Sequence, residues 1–262
     1  MAVGVLLTHL GFLLLCQPFP DDPDSAKVLF SYGVLLSLRE TVKLPFMNVD
    51  TLLRQYFPQA RNACIELFDD RNIQQVYRRL VEVLIHQPEV ETSLLQAMSY
   101  CFYEVMDNVL IHSGKTVGIV ITNYSEEQHL IQILVADDGM GIRESLAMNG
   151  DYSTITEAQA LEYCIKDKVS DGKGMGFGLY TTSRLINTAG HKLIIRSGGH
   201  TLSANGDVSV VESEPWTGTI VYFELRANLD IDPASVVDHR TDPAAEFDEL
   251  FLEDNTGLDK LW

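Results

Sequence analysis

The sequence predicts an α+β fold, a two-layer sandwich in which a mostly antiparallel sheet carries its helices on one face. Two apolar stretches with helical spacing lie ahead of two strand-like runs, which are joined by a short polar connection as in an antiparallel hairpin. Two further helical stretches then precede a closing group of strand-like segments. Helices and strands therefore come in runs and not in strict alternation, which favours α+β over a parallel α/β sheet.

Taken in order, residues 1–45 hold two apolar segments, Val3–Leu15 and Val28–Leu38, split by the turn-rich Pro18–Asp24. We expect a small N-terminal module of unassigned role. After a mixed stretch, Ile65–Phe68 reads as an edge strand. Val76, Leu80, Val83 and Leu84 give helical spacing over Ile73–His86. Pro88, tolerated in a first turn, opens a second helix carried by Leu94, Met98, Cys101, Phe102, Val105 and Val109 to His112. Gly114 stands where that helix stops.

Strands follow at Val117–Thr122 and Leu130–Ala136. Past Ile142 the periodicity is lost until Thr156-Glu157-Ala158-Gln159, a capping-box pattern that opens a helix to about Ile165. A charged loop, Lys166–Lys173, leads to a helix from about Phe177 to Ala189, ended by Gly190. Strands at Lys192–Arg196, Val208–Val211 and Thr219–Leu225 complete a domain spanning residues 46–228. Residues 229–262 form an acidic tail in which only Arg240 and Lys260 are basic.

Composition narrows the function. Over 262 residues, 37 acidic side chains face 19 basic ones, for a net charge of −18. Such a chain repels nucleic acid and anionic membranes, so neither is expected as a partner. The four cysteines form no C-x-x-C pair, and their apolar neighbours suggest buried thiols in a reducing compartment. The apolar start has no leading Lys or Arg, no small-residue cleavage site and too little length to span a bilayer. We expect a cytoplasmic protein.

Three motifs carry chemistry. On the helix before Gly114, Glu104, Asn108 and His112 recur at one-turn intervals and share a face. Alone, this is a solvated polar stripe. The second motif, Asp137-Asp138-Gly139-Met140-Gly141-Ile142, directly follows a strand. Asp137 ends an apolar run, which predicts a carboxylate at the floor of a pocket. Gly139 and Gly141 would let a flat ligand approach the backbone. The third, Gly172-Lys173-Gly174-Met175-Gly176-Phe177-Gly178, places alternate glycines at a helix start, where free amides and the helix dipole suit phosphate. It fits neither the dinucleotide fingerprint nor the Walker pattern, and a flexible hinge explains it equally well.

Together and in this order, E-x-x-x-N on a helix, D-x-G-x-G after a strand and G-x-G-x-G at a helix start resemble the GHKL ATP-binding superfamily. That group includes gyrase, certain chaperones, mismatch-repair ATPases, histidine kinases and anti-sigma-factor serine kinases. The resemblance covers about Ile73 to Arg226, with Gly218-Thr219 similar to the family's last nucleotide-contact motif. It implies the Bergerat-type ATP-binding fold, with ATP and Mg2+ as cofactors. It implies Asn108 as magnesium ligand, Glu104 as general base, and Asp137 as acceptor from the adenine amino group. Gly139 and Gly141 would lie beside the ring, with Thr219 assisting. Lys173, Gly174, Met175, Gly176, Phe177 and Gly178 would form the phosphate loop, and residues 142–172 a mobile lid. Lys166 and Lys168 are further candidates to meet the terminal phosphate.

The chain lacks the His-Glu/Asp phosphoacceptor signature of sensor histidine kinases, since His86 is followed by Gln87-Pro88. Its motif style looks closest to the anti-sigma-factor serine kinases. The resemblance therefore implies a magnesium-dependent kinase acting on Ser or Thr of a regulatory partner protein. The alternative is an ATPase or ATP-gated sensor module without phosphotransfer. A homodimer is compatible with either.

Overall fold

The computed structural model describes residues 49–60, 63–173, 178–189 and 191–231. The expected N-terminal module, the acidic tail beyond 231, Gly190 and the segment Gly174–Phe177 lie outside the described residues. The chain divides into two units between Cys64 and Ile65.

The first unit contributes helix α1, Val49–Tyr56, in a stretch where the sequence showed no pattern. Val49, Leu52 and Tyr56 are its buried residues, and Arg54 pairs with Asp50 one turn earlier at 2.9 Å. Eight residues are too few for periodicity to stand out.

The second unit holds the sheet. Strand β1 (Cys64–Phe68) begins at the boundary, followed by α2 (Ile73–Ile85), α3 (Thr92–His112), β2 (Gly118–Ser125) and β3 (Leu130–Ala136). Next come α4 (Gly141–Leu146), a single 3₁₀ turn at Gly150–Tyr152, α5 (Glu157–Cys164) and α6 (Gly178–Ala189). The last strands are β4 (Lys192–Asn205) and β5 (Asp207–Arg226). The sheet order is β1-β2-β3-β5-β4, with β2·β3, β3·β5 and β5·β4 antiparallel. This is the expected α+β class, and β1 is the edge strand the sequence predicted.

The central helix α3 packs on α2, on α6 and on strands β2 and β3. Its Leu94, Met98, Phe102 and Met106 are almost wholly buried. Burial of such side chains contributes roughly 1.5–3 kcal/mol each, which holds the helix where its polar face is needed. Helix α3 starts at Thr92 and not at Pro88. Pro88 instead occupies a turn closed by Val90 N–H donating to the Gln87 carbonyl at 3.1 Å, a position proline's fixed φ favours. Gly114 takes the left-handed stop expected of it, at φ 72°. The Thr156/Gln159 capping box forms with both reciprocal bonds.

Two further differences are physical. Residues 208–211 and 219–225 belong to one strand of 20 residues, paired with a β4 that runs on to Asn205. Between the two expected strands stand Pro215 and Gly218. They sit where the β4–β5 register shifts between Ser197 and His200, so bulges absorb them without ending the strand. Helix α4 was not anticipated at all, because six residues leave no period to read.

A polar row pins the register of four strands. Asn123 Nδ2 donates to Gln132 Oε1 at 2.9 Å, and Gln132 Nε2 donates to the Tyr222 hydroxyl at 2.7 Å. That hydroxyl donates to Glu224 Oε1 at 2.5 Å, which Lys192 approaches at 3.5 Å. A one-residue slip of any of these strands would turn its member of the row to the other face.

Of the described cysteines only Cys101 is fully buried, its thiol pushed up to about 12 by that burial; Cys64 and Cys164 are half-buried. No helix among the described residues is long and apolar enough to cross a membrane.

Candidate functional site

The apolar face of α3 is locked into the core, so Glu104, Asn108 and His112 are presented on its other side, toward a cavity of about 390 Å³. That volume suits a nucleotide-sized ligand. The same cavity is lined by Asp137 and Gly141 from the turn after β3, Lys173 ahead of α6, Gly178 at its start, and Thr219 in β5. Residues separated by more than a hundred positions thus converge. Gly178 packs against α3: a side-chain carbon there would stand 3.0 Å from Glu104 Oε2 and 3.1 Å from Asn108 Nδ2.

The floor is built around Asp137, which is 2% exposed. Its Oδ1 accepts from the Gly139 N–H at 2.7 Å, its own N–H donates to the Thr219 carbonyl at 3.0 Å, and its carbonyl accepts from Trp216 Nε1 at 3.0 Å. Burial pushes the carboxyl up to about 6, with Asp138 adding to the rise; the N–H groups of Gly139 and Thr219 and the charge of Lys115 oppose it. Gly139 lies beneath the carboxylate and is not part of the cavity wall. Gly141 and Gly218 adopt φ of 77° and 93°, a region closed to most residues. A side chain at 218 would also overlap the Asp137 carbonyl and the Gly139 N–H. Ser197 braces the turn from the side, accepting from Ile142 N–H at 3.0 Å and donating to the Gly218 carbonyl at 2.8 Å.

The opposite wall is a charged junction. His112 Nδ1 donates to Asp171 Oδ2 at 2.8 Å, and Ser145 Oγ donates to the same oxygen at 3.0 Å. Lys173 N–H donates to Asp171 Oδ1 at 2.9 Å. Burial alone would raise the Asp171 carboxyl, but these donors outweigh it and hold it below the usual range. Among the described residues the Lys173 ammonium reaches the Ile111 carbonyl, at 3.5 Å. Lys166 lies 4.3 Å over the Tyr163 ring, and neither it nor Lys168 lines the cavity.

Of the residues singled out in the sequence, the structure brings Glu104, Asn108, Asp137, Gly141, Lys173, Gly178 and Thr219 to one cavity. Gly139 supports it from below, and Gly174, Met175, Gly176 and Phe177 lie outside the described residues. Sequence reasoning missed Ser145, Asp171, Ser197 and Trp216. Apart from the Lys173 N–H on Asp171, their partners lie 21 to 79 residues away, so no local spacing could have marked them.

Residues 95–229, just over half of the chain, match the family model described as "Histidine kinase-, DNA gyrase B-, and HSP90-like ATPase". No curated protein matches the chain.

Proposed function

The chain belongs to the histidine kinase-, DNA gyrase B- and HSP90-like ATPase family, and from that premise we propose that it is a magnesium-dependent ATP-binding protein kinase acting on a Ser or Thr of a regulatory partner in the cytoplasm. The observation that carries the reading is the convergence of Glu104, Asn108 and Asp137 on one cavity with Gly178 packed against the first two. In this reading Asp137 Oδ2 accepts the adenine amino group, because Oδ1 already serves Gly139. An amino group donating to a carboxylate makes a charge-assisted bond, stronger than a neutral one.

Magnesium takes oxygen ligands and normally keeps several waters, so the Asn108 carboxamide oxygen plus nucleotide phosphates is an adequate donor set. Among the described residues no group of three His, Cys, Asp or Glu side chains could hold a metal ion without the nucleotide. In this reading the ion would be held between Asn108 and the phosphates and would neutralise phosphate charge there. Glu104, one turn before Asn108, would take the proton from the partner hydroxyl as its oxygen bonds the terminal phosphorus and ADP leaves.

One observation favours a second reading, an ATPase or ATP-gated sensor. The His112–Asp171–Ser145 junction ties the segment after α5 to the cavity wall, so ligand-driven rearrangement there could itself be the output. Labelled terminal phosphate separates the two. Transfer to Ser or Thr of a co-incubated candidate partner supports the kinase. Release as free phosphate, or ATP binding with neither outcome, supports the alternative.

A further inference from the structure

We propose that the free edge of β5 over Asp207–Ser213 is a docking site for an extended basic segment of a partner protein, which joins the sheet there as an additional strand. The geometry follows from unequal strand lengths. Strand β4 pairs with β5 as far as Asn205↔Asp207, whereas β3 pairs only from Ala136↔Ile220 to Leu130↔Arg226. Among the described residues no strand lies beside Asp207–Ser213 on the side away from β4. Seven residues extend for about 24 Å, enough for several ladder bonds.

Natural edges are usually guarded by lysine, proline, bulges or a covering element. The bulges and Pro215 lie on the cavity side of Glu212, and the β4–β5 register is regular from His200↔Glu212 to the turn. The guards present are acidic, Asp207 and Glu212, with Glu214 just beyond; all three are exposed. No lysine or arginine occurs between Arg196 and Arg226. Charge of one sign repels the same edge of a second copy and repels the acidic tail, while it attracts a basic strand. Val208 and Val211, 46% and 55% exposed, lie on opposite faces of the edge and give an incoming strand apolar contact on both.

The arm is held in shape before any partner arrives. Leu202 and Ala204 are fully buried. The Glu157 carboxylate of α5 accepts from Gly199 N–H at 2.9 Å and from His200 Nδ1 at 3.1 Å. A fixed edge spares the binding free energy that ordering it would cost. No residue from 198 to 214 lines the ATP cavity, so the surface stands apart from the nucleotide chemistry.

The test uses the full chain and a synthetic strand-forming peptide alternating lysine with valine, with two controls. One control carries glutamate for lysine; the other is N-methylated at alternate residues and cannot complete a ladder. The lysine peptide should slow hydrogen exchange at those amides of 207–213 that point away from β4, and bind less tightly as salt rises. The triple variant Asp207→Lys, Glu212→Lys, Glu214→Lys should lose about tenfold or more in affinity, with ATP binding unchanged. Equal binding of either control peptide would overturn the proposal. So would protection, in the free chain, of the amides that point away from β4, whether independent of concentration, meaning the chain covers its own edge, or growing with it, meaning a second copy does.

Discussion

Across 59 residues of sequence, the imidazole of His112 meets the carboxylate of Asp171 at 2.8 Å. The end of α3 is thereby fastened to the start of the glycine segment, and Ser145 of α4 joins on the same oxygen. Asp171→Asn keeps the volume and removes the charge. A charge-assisted bond contributes about 1.5–3 kcal/mol, so local opening should rise at least tenfold. Limited proteolysis without nucleotide reads this directly: cleavage within Lys166–Lys173 should accelerate by that factor. Unchanged cleavage would show that the junction does not restrain the segment.

ATP binding should depend on pH through Asp137. Its carboxyl sits at about 6 against an ordinary 3.8, so its ionisation works against folding. That penalty is absent below 3.8 and complete above about 6. An adenine amino group donates to the ionised form and offsets the penalty. The thermal stabilisation given by ATP should therefore grow as pH rises through 6, and affinity should fall below it by up to tenfold per pH unit. Asp137→Asn should flatten the profile and weaken ATP binding about ten- to a hundredfold. A wild-type profile flat from pH 5 to pH 8, about a unit and two units from 6 respectively, would remove Asp137 from the adenine contact.

Glu104 and Asn108 should separate chemistry from metal. Glu104→Gln is expected to hold ATP within a few-fold of wild type while turnover falls by about 10²–10⁴. Asn108→Ala should instead abolish most of the gain in ATP affinity that magnesium confers. Calorimetry with and without magnesium, paired with single-turnover rates, checks both. Loss of binding in the glutamine variant would make Glu104 structural.

Gly178→Ala offers a sharper dissociation. Alanine is favoured over glycine in a helix by about 1 kcal/mol, yet its methyl would press on Glu104 Oε2 at 3.0 Å and Asn108 Nδ2 at 3.1 Å. The variant should keep its resistance to urea and lose nucleotide affinity. A fall in stability with binding intact would contradict the packing.

Within the sheet, Gln132→Ala takes away the acceptor of the Asn123 amide and a donor to Tyr222. Buried polar groups deprived of a partner cost about 1–3 kcal/mol each, and urea unfolding should show a loss in that range. Gln132→Glu retains an acceptor for Asn123 and should recover part of it.

How much was readable in advance depended on the range of the interactions. Helix α3 and the β2–β3 hairpin announced themselves because their apolar spacing, the stop at Gly114 and the polar residues joining the strands are local, although β2 runs on to Ser125 and only 126–129 form the turn. Glu104, Asn108 and Asp137 were legible as motifs for the same reason. The join between residues 211 and 219 was not, because Pro215 and Gly218 signal a break unless the neighbouring strand is known to bulge. Asp171 and Ser145 were invisible, being common polar residues whose importance lies in meeting each other over 26 positions. Trp216 was equally silent, since its partner is a main-chain carbonyl 79 residues away.

That tryptophan bond has an optical consequence. The chain holds two tryptophans, Trp216 and Trp262, and the indole N–H of the first is tethered at 3.0 Å to the carbonyl of the residue that floors the cavity. Indole emission shifts in colour and yield with the polarity and hydrogen bonding of its surroundings, so strain or relief at that carbonyl alters the light emitted. With Trp262 replaced by phenylalanine, Trp216 becomes the lone tryptophan, tethered to the pocket floor and excitable apart from the ten tyrosines, so filling of the cavity is expected to shift its emission without a dye.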